Sequence, residues 1–318
     1  MLPVYIIILN YKKWQDTQEC LESVFQSTYK NFSAIVIDND SQNGSLEHLI
    51  QWAENRTGND GPGTAGQFNH TFLRGEDIAG SFGPGSFSRL TFIQNNSNAG
   101  FAGGINIALR TLQDLDAYVW LLNPDMVVTE NTLAELADFA TRQPLNAITG
   151  AVIKSYSGNR GLLFYGGFKV NFLSATVSMI KDITSFHRLD YISGGCLFTH
   201  TSNWKKVGLL PEEYFLYWEE TDWCYRARQS GCSLSVCTTA ICYDKISTVI
   251  GKSFVANYYY SRNGLLFISK FRREHIPVVL FFLGIRFLKR IVTGRWARAK
   301  GIYSGTRDFF KMKPYEVK

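Results

Sequence analysis

The sequence predicts an open α/β sheet followed by a helical, basic C-terminal extension, and three observations carry that expectation. The chain starts on a continuous β-rich apolar run, Val4 to Leu9 (VYIIIL), as expected of a strand buried on both faces of a parallel sheet. Strand and helix patterns then alternate at the spacing of right-handed βαβ units. Charge also divides the chain. Its 318 residues carry a net charge of +6, but residues 1–250 hold 18 Lys+Arg against 24 Asp+Glu, a balance of −6. Residues 251–318 hold 15 Lys+Arg against 3 Asp+Glu, a balance of +12.

Each element follows from its local pattern. Cys20, Leu21, Val24 and Phe25 recur at helical spacing within 16–27. SAIVID (33–38) is a second strand, ending in Asp38-Asn39-Asp40-Ser41 before a helix at 45–54. Residues 56–88 hold eight glycines and two prolines, which predicts a long flexible loop. LTFIQ (90–94), a helix near 102–113, AYVWLLN (117–123) and a helix at 130–142 resume the alternation. Phe164 to Met179 reads as hairpin or meander strands and YISGGCLFTH (191–200) as one strand. A helix at about 219–230, the strand SLSVCT (233–238) and helices from 253 onward complete the reading. We divide the chain at 250/251, into an α/β unit (1–250) and a helical basic region (251–318).

Composition excludes several classes. With 45% apolar and 19% charged residues the chain is too apolar to be disordered. Its six cysteines form no CxxC pair, and their spacing argues for reduced core thiols in the cytoplasm, not a zinc site or a disulfide framework. The apolar start is short and has no basic leader, so no signal peptide is expected. The run Ile276 to Ile285 is about half the length needed to span a bilayer. A dinucleotide-binding dehydrogenase is disfavoured because the glycines of SNAGFAGGIN (97–106) follow GxxGG, not GxGxxG. Nucleic-acid binding is disfavoured by the acidic body and the lack of a recognition motif.

Four groups of carboxylates fall at or near predicted strand ends: Asp38/Asp40, Asp125, Glu219/Glu220/Asp222 and Asp244. Crowded acids at a sheet edge point to a cation or to proton transfer. In LLNPDMVV (121–128), Pro124 stops strand pairing and leaves Asp125 free to hold a divalent cation that bridges a diphosphate. The rim Tyr214, Phe215, Tyr217, Trp218 and Trp223 reads either as stacking surface for sugars or as core.

ILNYKKW (8–14), VIDNDS (36–41), NAGFAGGIN (98–106), LLNPDMVV (121–128), SGGCLFTH (193–200) and YFLYWEETDWCYRARQSG (214–231) together resemble family 2 glycosyltransferases, in their rhamnosyltransferase-like subgroup, over about residues 3–270. The resemblance implies a GT-A (Rossmann-like) fold with a mixed, mostly parallel sheet flanked by helices. It also implies a nucleotide-sugar donor (dTDP-rhamnose, or alternatively a UDP-sugar), a divalent cation (Mg2+ or Mn2+) and inversion at the anomeric carbon. A saccharide or lipid-linked saccharide of a bacterial surface polysaccharide would be the acceptor; a non-catalytic nucleotide-sugar or glycan-binding protein is the contrasting reading.

Residue by residue, the resemblance puts Asn10, Tyr11, Asp38, Asn39, Asn98, Gly100 and Asn123 at the donor, and Asp125 at the metal. Arg262, in a Tyr-Tyr-x-x-Arg-Asn segment (259–263 with its preceding tyrosine), becomes a partner for diphosphate, or a helix-surface residue. Glu219 and Glu220 stand where the family has Glu-Asp, whose second acid is the base. Glu220 departs from that Asp by one methylene, which leaves Asp222 as the other candidate base. Arg226 matches a basic residue one turn on. Asp244 stands where the family often has a metal-binding His, and Tyr217, Trp218 and Trp223 are candidates for the acceptor.

Beyond residue 276 one helical stripe carries Val278, Phe281, Phe282, Ile285, Leu288 and Val292. Arg286, Lys289, Arg290, Arg295 and Arg298 lie mainly off it, near Trp296. That pattern predicts an interfacial helix on an anionic membrane surface, hence a cytoplasmic protein peripheral to the inner face; a helix packed on the domain is the alternative.

Overall fold

The opening apolar run forms the middle of the main sheet, because every side chain from Val4 to Ile8 is buried on one face or the other. The computed structural model describes residues 1–55, 70–74, 89–245 and 253–312. In chain order these form β1 (Val4–Asn10), α1 (Trp14–Phe25), β2 (Phe32–Asp38), α2 (Ser45–Glu54), β3 (His70–Arg74), β4 (Leu90–Gln94), α3 (Gly100–Leu112), β5 (Tyr118–Leu122) and β6 (Met126–Val128). There follow α4 (Thr132–Thr141), β7 (Ala147–Ser155), β8 (Leu162–Tyr165), β9 (Gly167–Asn171), β10 (Thr176–Met179), β11 (Tyr191–Ile192), β12 (Cys196–His200), α5 (Thr201–Val207) and α6 (Glu219–Gln229). The last elements are β13 (Ser233–Asp244), α7 (Phe254–Phe271), α8 (Ile276–Val292) and α9 (Trp296–Lys311).

The main sheet has the order β3-β4-β2-β1-β5-β12-β7-β13-β6, with β8 added on β7. Strands β3, β4, β2, β1 and β5 are parallel; β12 enters antiparallel to both β5 and β7, and β13 runs parallel to β7. This is the expected mixed, mostly parallel sheet. Strand alternation splits the core into two layers. Tyr5 and Ile7 pack with α3, α6 and α7, while Ile6 and Ile8 pack with α1, α2 and α4. Each fully buried side chain of this kind contributes about 1.5–3 kcal/mol. A small second sheet, β10-β9-β11, lies beside the main one.

Besides β6 and α5, which the sequence reading did not assign, the structure differs from it at four places. His70–Arg74, inside the expected loop 56–88, is an edge strand pairing parallel with β4; the remainder of that loop lies outside the described residues. Strand β7 is added near the middle of the sheet, where Thr149-Gly150 had broken the apolar run. Residues 191–200 are two short strands separated at Ser193–Gly195, and β13 extends to Asp244 across a register shift between Cys237 and Ile241.

The C-terminal helices share the sheet's core: Leu265, Leu266, Phe267 and Ile268 of α7 and Ile302 of α9 belong to the same cluster as Tyr5 and Ile7. Helix α8 buries only Val279 and Leu283. Its stripe is solvent-exposed, from Phe282 at 37% to Val292 at 86%. Among the described residues no helix is long and apolar enough to cross a membrane.

Candidate active site

The C-terminal ends of β1, β2 and β5 lie side by side, where an open α/β sheet places its ligands. Asn10, fully buried, donates from Nδ2 to Asp38 Oδ1 at 2.6 Å and to Ser41 Oγ at 3.2 Å, and accepts from Thr17 Oγ1 at 2.8 Å. Asp38 also accepts from the Ser41 amide at 3.0 Å and from Ser41 Oγ at 2.6 Å. Asn39 donates to Asn98 Oδ1 at 2.9 Å and to the Gly100 carbonyl at 3.0 Å, and its own oxygen accepts from the Ala99 amide at 3.2 Å. Asn10, Asp38, Asn39, Asn98 and Gly100 therefore come together as one satisfied polar network, which rigidifies this end of the sheet. Tyr11 stands beyond it, 42% exposed. Gly100 must be glycine: its φ is +73°, and a Cβ would lie 2.2 Å from the Phe215 carbonyl oxygen.

Asn123-Pro124-Asp125 forms the turn between β5 and β6. The Asn123 amide donates to the Gly195 carbonyl at 3.0 Å, and the Met126 amide donates back to the Asn123 carbonyl at 3.1 Å. Strand β6 then pairs antiparallel with β13 so that Met126 stands opposite Asp244, which brings Asp244 close to Asp125. Burial, then the charge of Asp244, pushes Asp125 up to about 6. Lys245 braces the site from below: its amide donates to the Asp125 carbonyl at 3.1 Å, and its Nζ meets Asp16 at 2.8 Å and Glu19 at 2.6 Å.

Two neighbouring carboxylates that repel one another are the hard-oxygen donor set a divalent cation accepts. Among the described residues no group of three or more His, Cys, Asp or Glu could hold an ion. Asp125 and Asp244 thus fit a cation shared with substrate phosphates, the manner in which Mg2+ is commonly held.

Helix α6 starts at Glu219, just after a strained loop in which Phe215, Tyr217 and Trp218 all have positive φ (64°, 66° and 78°). The Arg262-Asn263 pair of α7 holds that loop. Arg262 Nη2 donates to the carbonyls of Glu213 and Tyr214, each at 2.9 Å, and Asn263 Nδ2 serves those of Tyr214 and Leu216 at 2.7 Å and Tyr217 at 3.1 Å. The guanidinium expected at a diphosphate is instead spent on the loop's backbone.

The three acids of α6 have different surroundings. Asp222, 1% exposed, accepts from Tyr214 Oη at 2.8 Å, Arg226 Nε at 2.8 Å and Lys270 Nζ at 2.9 Å, so its oxygens are committed to structure. Glu219 is 3% exposed, with Oε2 buried and unpartnered, and burial followed by the Glu220 charge raises it well above the usual carboxylate range. Burial also raises Glu220, against the opposing help of the Gly194 and Thr221 amides. Glu220 alone of the three lines a cavity of ≈ 500 Å³, and its Oε2 is without a hydrogen-bond partner. Tyr217 and Trp218 line the same cavity. Trp223 does not: it is fully buried, stacked on Trp204 at 4.0 Å, with its Nε1 donating to the Gly208 carbonyl at 2.6 Å. Its aromatic surface is core, not rim.

The glycosyl transferase family 2 model matches residues 5–65 and 75–204, more than half of the chain. The chain belongs to glycosyl transferase family 2. Its relatives include the low-salt glycan biosynthesis hexosyltransferase Agl10 of Haloferax volcanii, 24% identical over 241 residues. That match covers 73% of this chain and 64% of the relative, less than two thirds of the relative's length. Among solved structures, the mannosyltransferase PcManGT from Pyrobaculum calidifontis in complex with GDP-Man and Mn2+ aligns with a TM-score of 0.59 and 11% identity, over 97% of this chain and 87% of that one. GalNAc-T7 with UDP, GalNAc and Mn2+ aligns with a TM-score of 0.58 and 13% identity, over 92% and 58%. S. aureus TarS in complex with UDP aligns at 0.52 and 15%, over 90% and 72%. These likenesses show the GT-A fold of this family 2 chain.

Some of the family 2 chain's site was not assigned from sequence. Ser193-Gly194-Gly195 links the Asn123 turn to Glu220, and its signal was the double glycine between two short strands. Lys245 and Lys270 had no signal of their own, and Asn263, though part of the Tyr-Tyr-x-x-Arg-Asn segment, was given no role, because their partners lie 46 or more residues away in sequence.

Proposed function

We propose that the chain is an inverting, metal-dependent glycosyltransferase that moves a sugar from a nucleotide-sugar donor to a saccharide acceptor. Rhamnose from dTDP-rhamnose is the donor we put first, and a lipid-linked saccharide of a surface polysaccharide the acceptor. The observation that carries the reading is Glu220: a half-buried acid that lines a cavity large enough for a sugar and keeps one oxygen, Oε2, without a hydrogen-bond partner. In this role the Glu220 carboxylate accepts the proton of the acceptor hydroxyl as the hydroxyl oxygen attacks the anomeric carbon, on the face opposite the departing nucleoside diphosphate. Burial raises the pKa of Glu220, which strengthens it as a base.

Asp125 and Asp244 would hold the divalent cation, which would supply charge stabilisation to the leaving diphosphate. The network from Asn10 to Gly100 positions the nucleoside, with Tyr11 beside it. Residues 1–250 form the catalytic unit, and 251–318 brace it and rest it on the anionic inner face of the membrane through the exposed stripe of α8.

The test combines a thermal-shift panel of nucleotide sugars in the presence of Mn2+ with transfer assays. dTDP-rhamnose should stabilise most, and Glu220→Gln and Asp125→Ala should each lower turnover about 100-fold or more. Wild-type turnover in both variants would overturn the site assignment; a larger shift with a UDP-sugar would change the donor and keep the mechanism.

A further inference from the structure

The cavity over Glu220 has a second chemical end. At α8 its wall is made by Arg286 and Arg290, one helical turn apart and on one face. Among the described residues neither pairs with a carboxylate. Arg286 is half-buried; its Nη2 reaches the Ser174 carbonyl at 3.3 Å, its Nε is buried without a partner, and its guanidinium lies 5.9 Å from the Tyr260 ring centroid. Withdrawing a guanidinium from water without an anion is costly, and the cost is recovered when an anion arrives. The outer side of the same helix is apolar, with Phe281 65%, Ile285 46% and Leu288 60% exposed. One helix therefore turns cations towards the cavity and hydrocarbon away from it.

We infer that this cavity binds the phosphate group of an amphiphilic acceptor: the phosphate lies on Arg286 and Arg290, the accepting sugar hydroxyl on Glu220, and the hydrocarbon chain along the exposed stripe of α8. The sugar end rests on the proposed role of Glu220; the phosphate end rests on the arginines alone. The aromatic wall of Tyr217, Trp218 and Tyr260 lies between the two ends and suits the faces of a sugar. The donor's diphosphate belongs at Asp125, which does not line this cavity.

Tryptophan fluorescence tests this directly, because Trp218 lines the cavity. The full chain is titrated with farnesyl phosphate, farnesol, inorganic phosphate and dTDP. Farnesyl phosphate should bind at least about ten-fold more tightly than farnesol or inorganic phosphate. Arg286→Gln and Arg290→Gln should each lose about ten-fold for farnesyl phosphate, with farnesol and dTDP affinities and the melting temperature unchanged, and Arg286→Lys should recover part of the loss. Undiminished farnesyl phosphate binding in both Gln variants overturns the site. Weakened dTDP binding assigns the arginines to the donor and overturns it equally, as does inorganic phosphate matching farnesyl phosphate. Glu220→Gln must retain farnesyl phosphate binding whatever its turnover, so failure of the base and failure of the phosphate site are read separately.

Discussion

Gly195 lies against Asn123: its carbonyl accepts the Asn123 amide at 3.0 Å, and a Cβ built on it would stand 2.9 Å from Asn123 Nδ2 and 3.3 Å from Met126 Cε. The neighbouring Gly194 amide serves Glu220. One short loop thus links the turn that carries Asp125 to Glu220, the proposed base. In Gly195→Ala the clash falls on the far ends of side chains, which can move, so the fold should survive at a cost of about 1–3 kcal/mol. The displaced Asn123 should raise the donor KM several-fold. Donor titration beside a melting curve checks this; an unchanged KM would detach Asn123 from the donor.

Asp222 and Glu220 separate by what each variant loses. Asp222→Asn removes one of the two counter-charges of Lys270, whose side chain is 9% exposed and keeps Glu213 at 2.6 Å, and leaves Arg226 with the carbonyls of Val207 and Leu209. Losing one charged partner while another remains costs about 1.5–3 kcal/mol. Denaturant unfolding should show that loss for Asp222→Asn and little for Glu220→Gln. A fully stable Asp222→Asn with turnover lost would make Asp222 the base.

The mostly parallel α/β sheet and the polar residues at its strand ends were legible because they depend on local signals. Buried runs such as VYIIIL mark strands, and Asn10, Asp38 and Asp125 follow directly from strand ends. What was illegible depends on distant partners. Arg262 has the composition of a phosphate ligand, yet its partners are carbonyls 48 and 49 residues away, exposed to it only by the strained loop. Trp223 lies one turn on from Glu220, on the same side of the helix, yet it packs into the core against Trp204; helical spacing does not separate two residues that share a side. The exposure of the α8 stripe was the reverse case, since period alone does not say which face of a helix finds a neighbour.

The hold of α7 on the 215–218 loop gives a prediction of its own. Asn263→Ala leaves the carbonyls of Tyr214, Leu216 and Tyr217 without the amide that serves them. At about 1 kcal/mol per net hydrogen bond, a loss of about 2–3 kcal/mol is expected. Because that loop leads directly into Glu220, kcat should fall about ten-fold while the donor KM stays near wild type. A kcat that survives the stability loss would show that the strained loop does not set the position of the base.

Glu219 should make the protein less stable as pH rises. Its folded-state pKa lies above the unfolded value, first by burial and then by the charge of Glu220. Its contribution is therefore fully present below the unfolded pKa of about 4.3 and is lost as pH climbs through the folded value. Glu219→Gln carries no charge to bury, so its melting temperature should exceed wild type at pH 8, with the gap closing towards pH 4. Turnover should persist, since Glu219 does not line the cavity. A gap that widens in acid would reverse the sign and refute the assignment.

The α8 stripe can be tested without touching the fold. Phe281 and Leu288 are 65% and 60% exposed, so Phe281→Ser with Leu288→Ser should leave the melting temperature near wild type. If the stripe enters a lipid interface, each substitution forfeits about 1.5–3 kcal/mol of apolar transfer, and vesicle affinity should fall at least about 100-fold in the pair. The cations beside it add about 1 kcal/mol each on an anionic surface. Sedimentation with phosphatidylglycerol vesicles should therefore exceed that with phosphatidylcholine and weaken as salt rises. Wild-type binding by the double variant would mean that the exposed stripe is not what meets the membrane.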